Sequence, residues 1–381
     1  MKIVIASDSF KGSLTSTEVA AAAARGIQAI YPHCEVVAVN VADGGEGTVE
    51  AVVEALRGEI ISVQVSDPLG RPVQARYGIA GQTAIMEMAA ASGLPLLAND
   101  ERNPWLTSTH GTGEMIMNAI QKGCRNFLIG IGGSATNDAG TGMLQAMGFR
   151  FYDAQDQEII HCTGGTMHLI ARIDDSAVPA YVRESCFTIA CDVDTPFCGK
   201  EGAAPVFAPQ KGADAAMVQQ LDAGMASLAQ VIQDKYHVDI VPIAGAGAAG
   251  GMGGAFRAFL NATLKPGIDM VLDAINFDRT IQGANLIITG EGKIDFQTAK
   301  GKTAAGVLAR AKRYHIPVMA IGGCVELCES VKQMGFAGIY PITEEKLPLQ
   351  IAMQPAVAAA NVEKTVQKII TPTLSTLNFQ L

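Results

Sequence analysis

Residues 1–48, MKIVIASDSFKGSLTSTEVAAAAARGIQAIYPHCEVVAVNVADGGEGT, decide the fold class. Lys2–Ser7 reads as a strand that opens into the polar loop Asp8–Leu14. Thr15 followed three residues on by Glu18 is a capping box, and the Ala-rich run behind it reads as a helix that stops before Pro32. Glu35–Val41, continuous in Val and Ala, reads as a second strand buried on both faces. It empties into Ala42-Asp43-Gly44-Gly45-Glu46-Gly47-Thr48. Strand, loop, helix and strand form a βαβ unit, the building block of a parallel sheet.

Outward from there the pattern changes. Ile60–Ser66 and Val73–Ile79 alternate in the manner of strands, punctuated by Pro68-Leu69-Gly70 and Gly81, which is antiparallel character. A helix is expected after the Ser108–Gly113 loop, ending at Gly123. Phe127–Ile131 reads as a buried strand opening into Gly132-Gly133-Ser134-Ala135-Thr136-Asn137-Asp138. The middle then runs irregularly through Phe187–Asp192 and Pro205–Gly212, with a helix at about Ala215–Tyr236 and a glycine cluster at 245–254. The last hundred residues return to crisp alternation: strands at Asn285–Thr289, Val318–Ile321 and Gly338–Pro341, helices at Thr303–Tyr314 and Ala356–Ile370. Both ends of the chain thus carry βα units. The expectation is an α/β protein, a discontinuous Rossmann-like parallel-sheet domain from residues 1–65 and 286–381 with a second α/β domain, 66–285, inserted.

A chain of 381 residues fits two such domains, and 49% hydrophobic residues suffice for their cores. The net charge of −9 argues against nucleic acid as a partner, since a phosphate-backbone binder needs a basic stripe. A few local cations would still accept a small anionic substrate. The eight cysteines include no CxxC pair, and no zinc-like spacing accompanies Cys324 and Cys328. Met1–Ala6 is a short apolar strand that reaches Asp8 at once, unlike a secretory leader. The longest apolar stretch, Val241–Phe256, is mostly Gly and Ala and is too short to span a bilayer. A cytoplasmic protein with reduced thiols and no membrane partner is expected.

Four Gly-rich stretches carry the candidate chemistry, each read as a loop after a buried strand: Asp43–Thr48, Gly130–Gly142, Gly245–Gly254 and Thr289–Lys302. Ligands sit at the carboxyl ends of parallel strands, where backbone amides aimed by the next helix cradle phosphate. Any one such loop is equally well explained by tight turning; four of them, three bearing acids or amides, are not. Gly301-Lys302-Thr303 ends like a phosphate-binding P-loop, but Phe296 stands where the first glycine should be. Gly245, Gly247 and Gly250 match a dinucleotide fingerprint, yet they lie mid-chain, away from the first βα unit, so an NAD-dependent oxidoreductase is the weaker enzymatic reading. Asp43, Glu46, Asp138, Asp192, Asp194, Glu291 and Asp295 lie at or just beyond strand ends. Phosphoryl transfer needs carboxylates for Mg²⁺, cations such as Lys11, Lys211 and Lys302 for the transferred group, and sometimes a carboxylate base. A helix cap is the alternative for each acid, most of all for Asp8 and Asp138. There is no GxSxG elbow and no HExxH, and His110 alone of six histidines falls in a glycine loop.

These blocks together resemble the bacterial class I glycerate kinases, nearly end to end. The likeness runs through Asp8-Ser9-Phe10-Lys11, Ala42–Thr48, Glu87–Leu94, Gly111–Glu114, Gly130–Asp138 and Ala190–Val193. It continues through Pro209–Ala213, Gly245–Gly253 and Ile288–Gly292 with Asp295, Gln297, Thr298, Gly301 and Lys302. Departures are Ser7 for Pro, Ala208 for Gly, Lys293 for Arg, Phe296 for Ser and Thr195-Pro196-Phe197 for Asn-Pro-Leu. None removes an expected acid or lysine. The resemblance implies transfer of the ATP γ-phosphoryl to D-glycerate with Mg²⁺, a two-domain α/β fold and an active site in the interdomain cleft. Catalytic roles then fall to Asp43, Lys11, Asp192 and Asp295, with Asp43 and Asp192 as metal ligands; metal and base roles stay open between them. Nucleotide contacts are expected from Gly132, Gly133, Ser134, Asn137, Gly290, Glu291 and Lys302, and substrate contacts from Lys211, Asp8 and Glu46. The product expected is 2-phosphoglycerate, with 3-phosphoglycerate as the alternative. A homodimer stays open. A non-catalytic nucleotide or sugar-acid sensor on the same scaffold would be marked by lost acids in the glycine loops, and none is lost.

Overall fold

The computed structural model describes residues 1–45, 47–343 and 347–376. Among them thirteen strands occur in chain order: Lys2–Ser7 (β1), Glu35–Asn40 (β2), Glu59–Ser66 (β3), Pro72–Ala80 (β4), Thr83–Glu87 (β5), Asn126–Gly130 (β6), Arg150–Tyr152 (β7), Arg172–Asp174 (β8), Cys186–Ala190 (β9), Thr263–Lys265 (β10), Leu286–Ile294 (β11), Val318–Val325 (β12) and Gly338–Pro341 (β13). They fall into two compact units, one of Met1–Asp43, Glu54–Leu56 and Val271–Leu381, the other of Gly44–Val53 and Arg57–Met270.

The first unit is an all-parallel sheet in the order β13-β12-β11-β1-β2. Ile3, Val4 and Ile5 of β1 and Leu286, Ile287 and Ile288 of β11 are fully buried, as central parallel strands covered on both faces must be. The helix Ser16–Ile30 starts as its sequence says: the Glu18 amide donates to Thr15 Oγ1 at 3.2 Å and the Thr15 amide to the Glu18 carboxylate at 2.8 Å. Its Val19, Ala23 and Ile27 share a core with Val362, Val366 and Ile370 of the closing helix Pro355–Thr376. A Cβ on Gly26 would lie 2.6 Å from the Glu363 carbonyl oxygen, so only glycine lets these helices approach so closely. Arg310, almost fully buried, is held by Asp273 and Asp278 at 2.6 Å each.

Two expectations for this unit are corrected. β2 is not buried on both faces; it is the sheet's edge, pairing only with β1, and its residues are half-buried or exposed. β11 does not stop at Thr289 but runs to Ile294, because β12 extends to Val325 and keeps pairing it through Lys293–Cys324 and Ile294–Val325. Gly290 and Glu291 therefore stand in a strand.

The second unit holds a six-stranded mixed sheet, β10-β9-β6-β5-β4-β3, in which the first four strands are parallel and β4 and β3 antiparallel. The antiparallel pair is the one its alternation announced. The segment read as irregular, Phe187–Asp192, supplies β9 in the parallel part, where Phe187 stacks on Phe127 of β6 at 4.8 Å between ring centroids. The helix Ala215–Tyr236 forms as expected, capped by Asp214, which accepts from the Met217 amide at 2.8 Å. No strand leads into the glycine cluster at 245–254. It opens the helix Ala248–Leu260, kinked where Ala249, Gly250 and Gly251 are left-handed. β3 pairs with β4 along its whole length and stands with it in the second unit. Among the described residues no helix is long and apolar enough to cross a membrane.

Candidate active site

The first unit gathers six of the expected site residues around one cavity of about 640 Å³: Asp8, Lys11, Asp43, Glu291, Asp295 and Lys302. β1 and β11 run side by side, with Ser7 opposite Gly290, so Asp8 leaves one strand end beside Glu291. The Asp8 amide donates to the Gly290 carbonyl at 2.9 Å, which fixes where the chain turns. The Asp8 carboxylate accepts from the Ser9 amide at 2.6 Å and the Thr303 hydroxyl at 2.9 Å. It thus ties the loop after β1 to the first residue of the helix Thr303–Arg313 and does not cap a helix of its own. Burial raises its pKa, and the Asp43 charge pushes the same way.

Glu291 is buried and accepts a hydrogen bond from the Thr298 hydroxyl. Burial lifts its carboxyl to about 7, with Asp8 and Asp43 adding to the rise while Thr298 and Lys302 oppose it. Asp295 accepts from the Gln297 amide at 2.8 Å and sits 3.3 Å from the Lys293 ammonium. Lys302 occupies the N-cap position of the helix Thr303–Arg313, after Gly301 with φ of 98°, and Lys11 is exposed. A Cβ on Gly290 would come within 2.8 Å of the Ile321 carbonyl and Ser7 Oγ, so this glycine serves strand packing.

In the second unit the loop after β6 holds Gly132, Gly133, Ser134 and Asn137. Gly132 and Gly133 are exposed, Gly133 is left-handed at φ 72°, and no heavy atom lies within 4 Å of a Cβ built on Gly132. Lys211 lies beneath this loop, only 1% exposed, and donates to Ser134 Oγ at 2.7 Å and the Thr136 carbonyl at 2.6 Å. Burial drags its ammonium down to about 7, with Asp138 pulling the other way. Asp138, fully buried, collects the Thr109 amide and hydroxyl at 2.8 and 2.7 Å and the Gly140 and Gly142 amides at 3.2 Å each. It is a bracing carboxylate and not the N-cap of the helix Thr141–Ala146, a position held by Gly140. Asn137 donates to the Met225 sulfur at 3.3 Å, while its carbonyl oxygen is buried without a partner. Asp192 is exposed and accepts from the Gly267 amide, at the start of the helix Gly267–Ala274, at 2.9 Å. Glu46 lies outside the described residues.

Sequence reasoning found the acids and lysines by their glycine-rich surroundings. It gave no role to the hydroxyls Thr298 and Thr303: Thr303 meets Asp8 across 295 positions of chain, and Thr298 meets Glu291 by folding back on β11, which runs on to Ile294. It also assigned nothing to the cavity's apolar wall, which includes Val325, Ile342, Leu347, Leu349 and Met353. The only available signal was that β12 and β13 end there.

Carboxylates and lysines gathered at the carboxyl ends of a parallel sheet are the equipment of an α/β phosphotransferase. A model of the glycerate kinase family matches residues 3–373. The chain is 48% identical over 372 residues to the glycerate kinase of Bacillus cereus (strain ATCC 10987 / NRS 248), covering 97% of each. It is 48% identical over 325 residues to the glycerate 2-kinase of Escherichia coli K12, covering 85% of each. A solved structure from Salmonella typhimurium LT2, described as a glycerate kinase 2, superposes with a TM-score of 0.91 at 42% identity over the whole of both chains. The chain belongs to the glycerate kinase family, and it is an enzyme of that family.

Proposed function

We propose that this protein transfers the γ-phosphoryl group of ATP to the 2-hydroxyl of D-glycerate, giving ADP and 2-phospho-D-glycerate. The observation that carries the reading is the near end-to-end likeness to glycerate kinases, with a glycerate 2-kinase at 48% identity supporting the position of transfer. The cavity acids and lysines suit the reaction. Lys11 and Lys302 offset charge on the transferred phosphoryl. Glu291, its carboxyl near neutrality, accepts the hydroxyl proton. The exposed Gly132–Gly133 turn, braced from below by Lys211, offers backbone amides to an anionic group.

Mg²⁺ fits the donor set. Asp8 and Asp43 are hard-oxygen ligands close enough that Asp43 raises the Asp8 pKa, a repulsion a cation relieves. Among the described residues no three His, Cys, Asp or Glu side chains are gathered to hold a metal. Mg²⁺ does not require that, since it is bound by one or two carboxylates together with substrate phosphates. When bound it would neutralise charge on the phosphates. The test is ³¹P NMR of the product with ATP, Mg²⁺ and D-glycerate. A 2-phosphoglycerate resonance is expected; a 3-phosphoglycerate resonance overturns the position of transfer. ATP binding without glycerate-dependent turnover overturns the enzyme in favour of a sensor.

A further inference from the structure

We infer that the whole nucleoside triphosphate is bound by the first unit, with the base on the apolar wall formed by Val325, Ile342, Leu347, Leu349 and Met353. The phosphates then lie at Lys11 and Lys302. This rests on the proposed use of ATP and adds where the nucleotide lies. The cavity of about 640 Å³ is within the range of small-molecule sites, and a three-carbon acid fills only a small part of it. Its lining is divided. Asp8, Lys11, Asp43, Glu291, Asp295 and Lys302 belong to or follow β1, β2 and β11 on one side of the strand order, and the apolar side chains come from the ends of β12 and β13 on the other side and from the segment 347–353. A nucleotide is divided in the same way, with a flat heteroaromatic base at one end and a polyanion at the other. Leu349 is 72% exposed, and Val325, Leu347 and Met353 are only half-buried, so the wall leaves apolar surface uncovered that a base would cover. The helix Thr303–Arg313 begins directly after Lys302, adding its amides to the lysine charge at the phosphate end.

The glycine cluster of the second unit does not compete for this role. A Cβ on Gly247 would meet the Pro196 carbonyl at 2.1 Å, one on Gly250 the Thr136 carbonyl at 2.2 Å, and one on Gly254 the Phe197 ring at 2.7 Å. These glycines admit neighbouring chain where a side chain would stand, so close packing accounts for each of them. The fingerprint at 245–250 is a packing pattern.

The test is photolabelling of the full-length protein with 8-azido-ATP, whose reactive group sits on the base, followed by peptide mapping. Cross-links within residues 318–358 that excess ATP suppresses are expected. ATP-suppressible cross-links in 130–142 or 245–254 overturn the inference, as does the lack of any ATP-suppressible cross-link. Glycerate-dependent ADP release is measured on the same preparation. Its absence beside a cross-link in 318–358 sinks the glycerate reading and leaves the nucleotide site standing. As a second measurement, Met353→Glu, checked for an unchanged melting temperature, should raise the KM for ATP on the order of ten-fold by placing a charge where the base packs, with the KM for D-glycerate unchanged. Leu349→Glu, on a more exposed position, serves if that variant does not fold. An unchanged KM for ATP in the folded variant overturns the inference.

Discussion

Replacing Lys211 by Met tests whether a buried ammonium is carried at a cost to stability. The side chain is 1% exposed, and its hydrogen-bond partners are the neutral Ser134 hydroxyl and Thr136 carbonyl. Burial lowers its pKa from 10.5 to about 7. At about 1.4 kcal/mol per unit, that fall corresponds to a cost on the order of 5 kcal/mol for keeping the charge in the native state. The folded pKa is the depressed one, so the unfolded chain holds more protons between about pH 7 and 10.5, and native stability rises through that window. Met matches the aliphatic stem and removes both the charge and its hydrogen bonds, and leaving the two partners unpaired costs about 1–3 kcal/mol each. At about pH 6 the variant should therefore be as stable as the parent or more so, and at about pH 9.5 it should be the less stable, a relative change of about 3 kcal/mol. The assay is urea unfolding followed by circular dichroism on both proteins at both pH values, with activity measured alongside. Activity should fall at either pH, because the Gly132–Gly133 turn loses its brace. An equal destabilisation at both pH values would refute the reasoning and make Lys211 an ordinary packing residue.

Three further outcomes are expected. Wild-type kcat/KM should fall as pH drops through about 7, the folded pKa of Glu291, while Glu291→Gln should lose that inflection and about 10²–10⁴-fold in rate. Because that pKa is raised from 4.5, the protonated carboxyl's stabilisation is complete below about 4.5 and lost as pH rises through about 7, so the Gln variant should melt higher than wild type at about pH 8. Asp43→Asn should lower kcat by a similar factor and raise the Mg²⁺ needed for half-maximal rate; a near-normal kcat at ordinary Mg²⁺ would make Asp43 a capping residue only. Gly132→Ala should leave the melting temperature unchanged, since nothing lies within 4 Å of its Cβ, and still depress activity, whereas Gly133→Val adds about 1–2 kcal/mol of left-handed strain and should abolish activity with melting within a few degrees of wild type. Full activity in the Gly132 variant would show that no ligand approaches that turn.

The sequence by itself determined what local chemistry can determine. Thr15 and Glu18 fix a helix start within one turn, the alternation of 60–79 fixes an antiparallel pair, and Asp214 caps the helix Ala215–Tyr236. The ordered blocks of glycine and acid were specific enough to carry the family. What tertiary structure alone decided is where strands end and what each polar group faces. The apolar run of β2 reads like a central strand, but its place at the sheet's edge is set by the fact that only β1 pairs with it. β11 continues through Gly290 and Glu291 because a partner of sufficient length lies beside it, which no window of its own sequence reveals. The glycines at 247–254 serve tight packing, while a Cβ on Gly132 would meet nothing within 4 Å, and only the space beyond the missing Cβ separates the two. Asp8 becomes a tie to Thr303, across 295 positions of chain, and Lys211 a buried brace, because burial and long-range partners belong to the folded chain and leave no local signature.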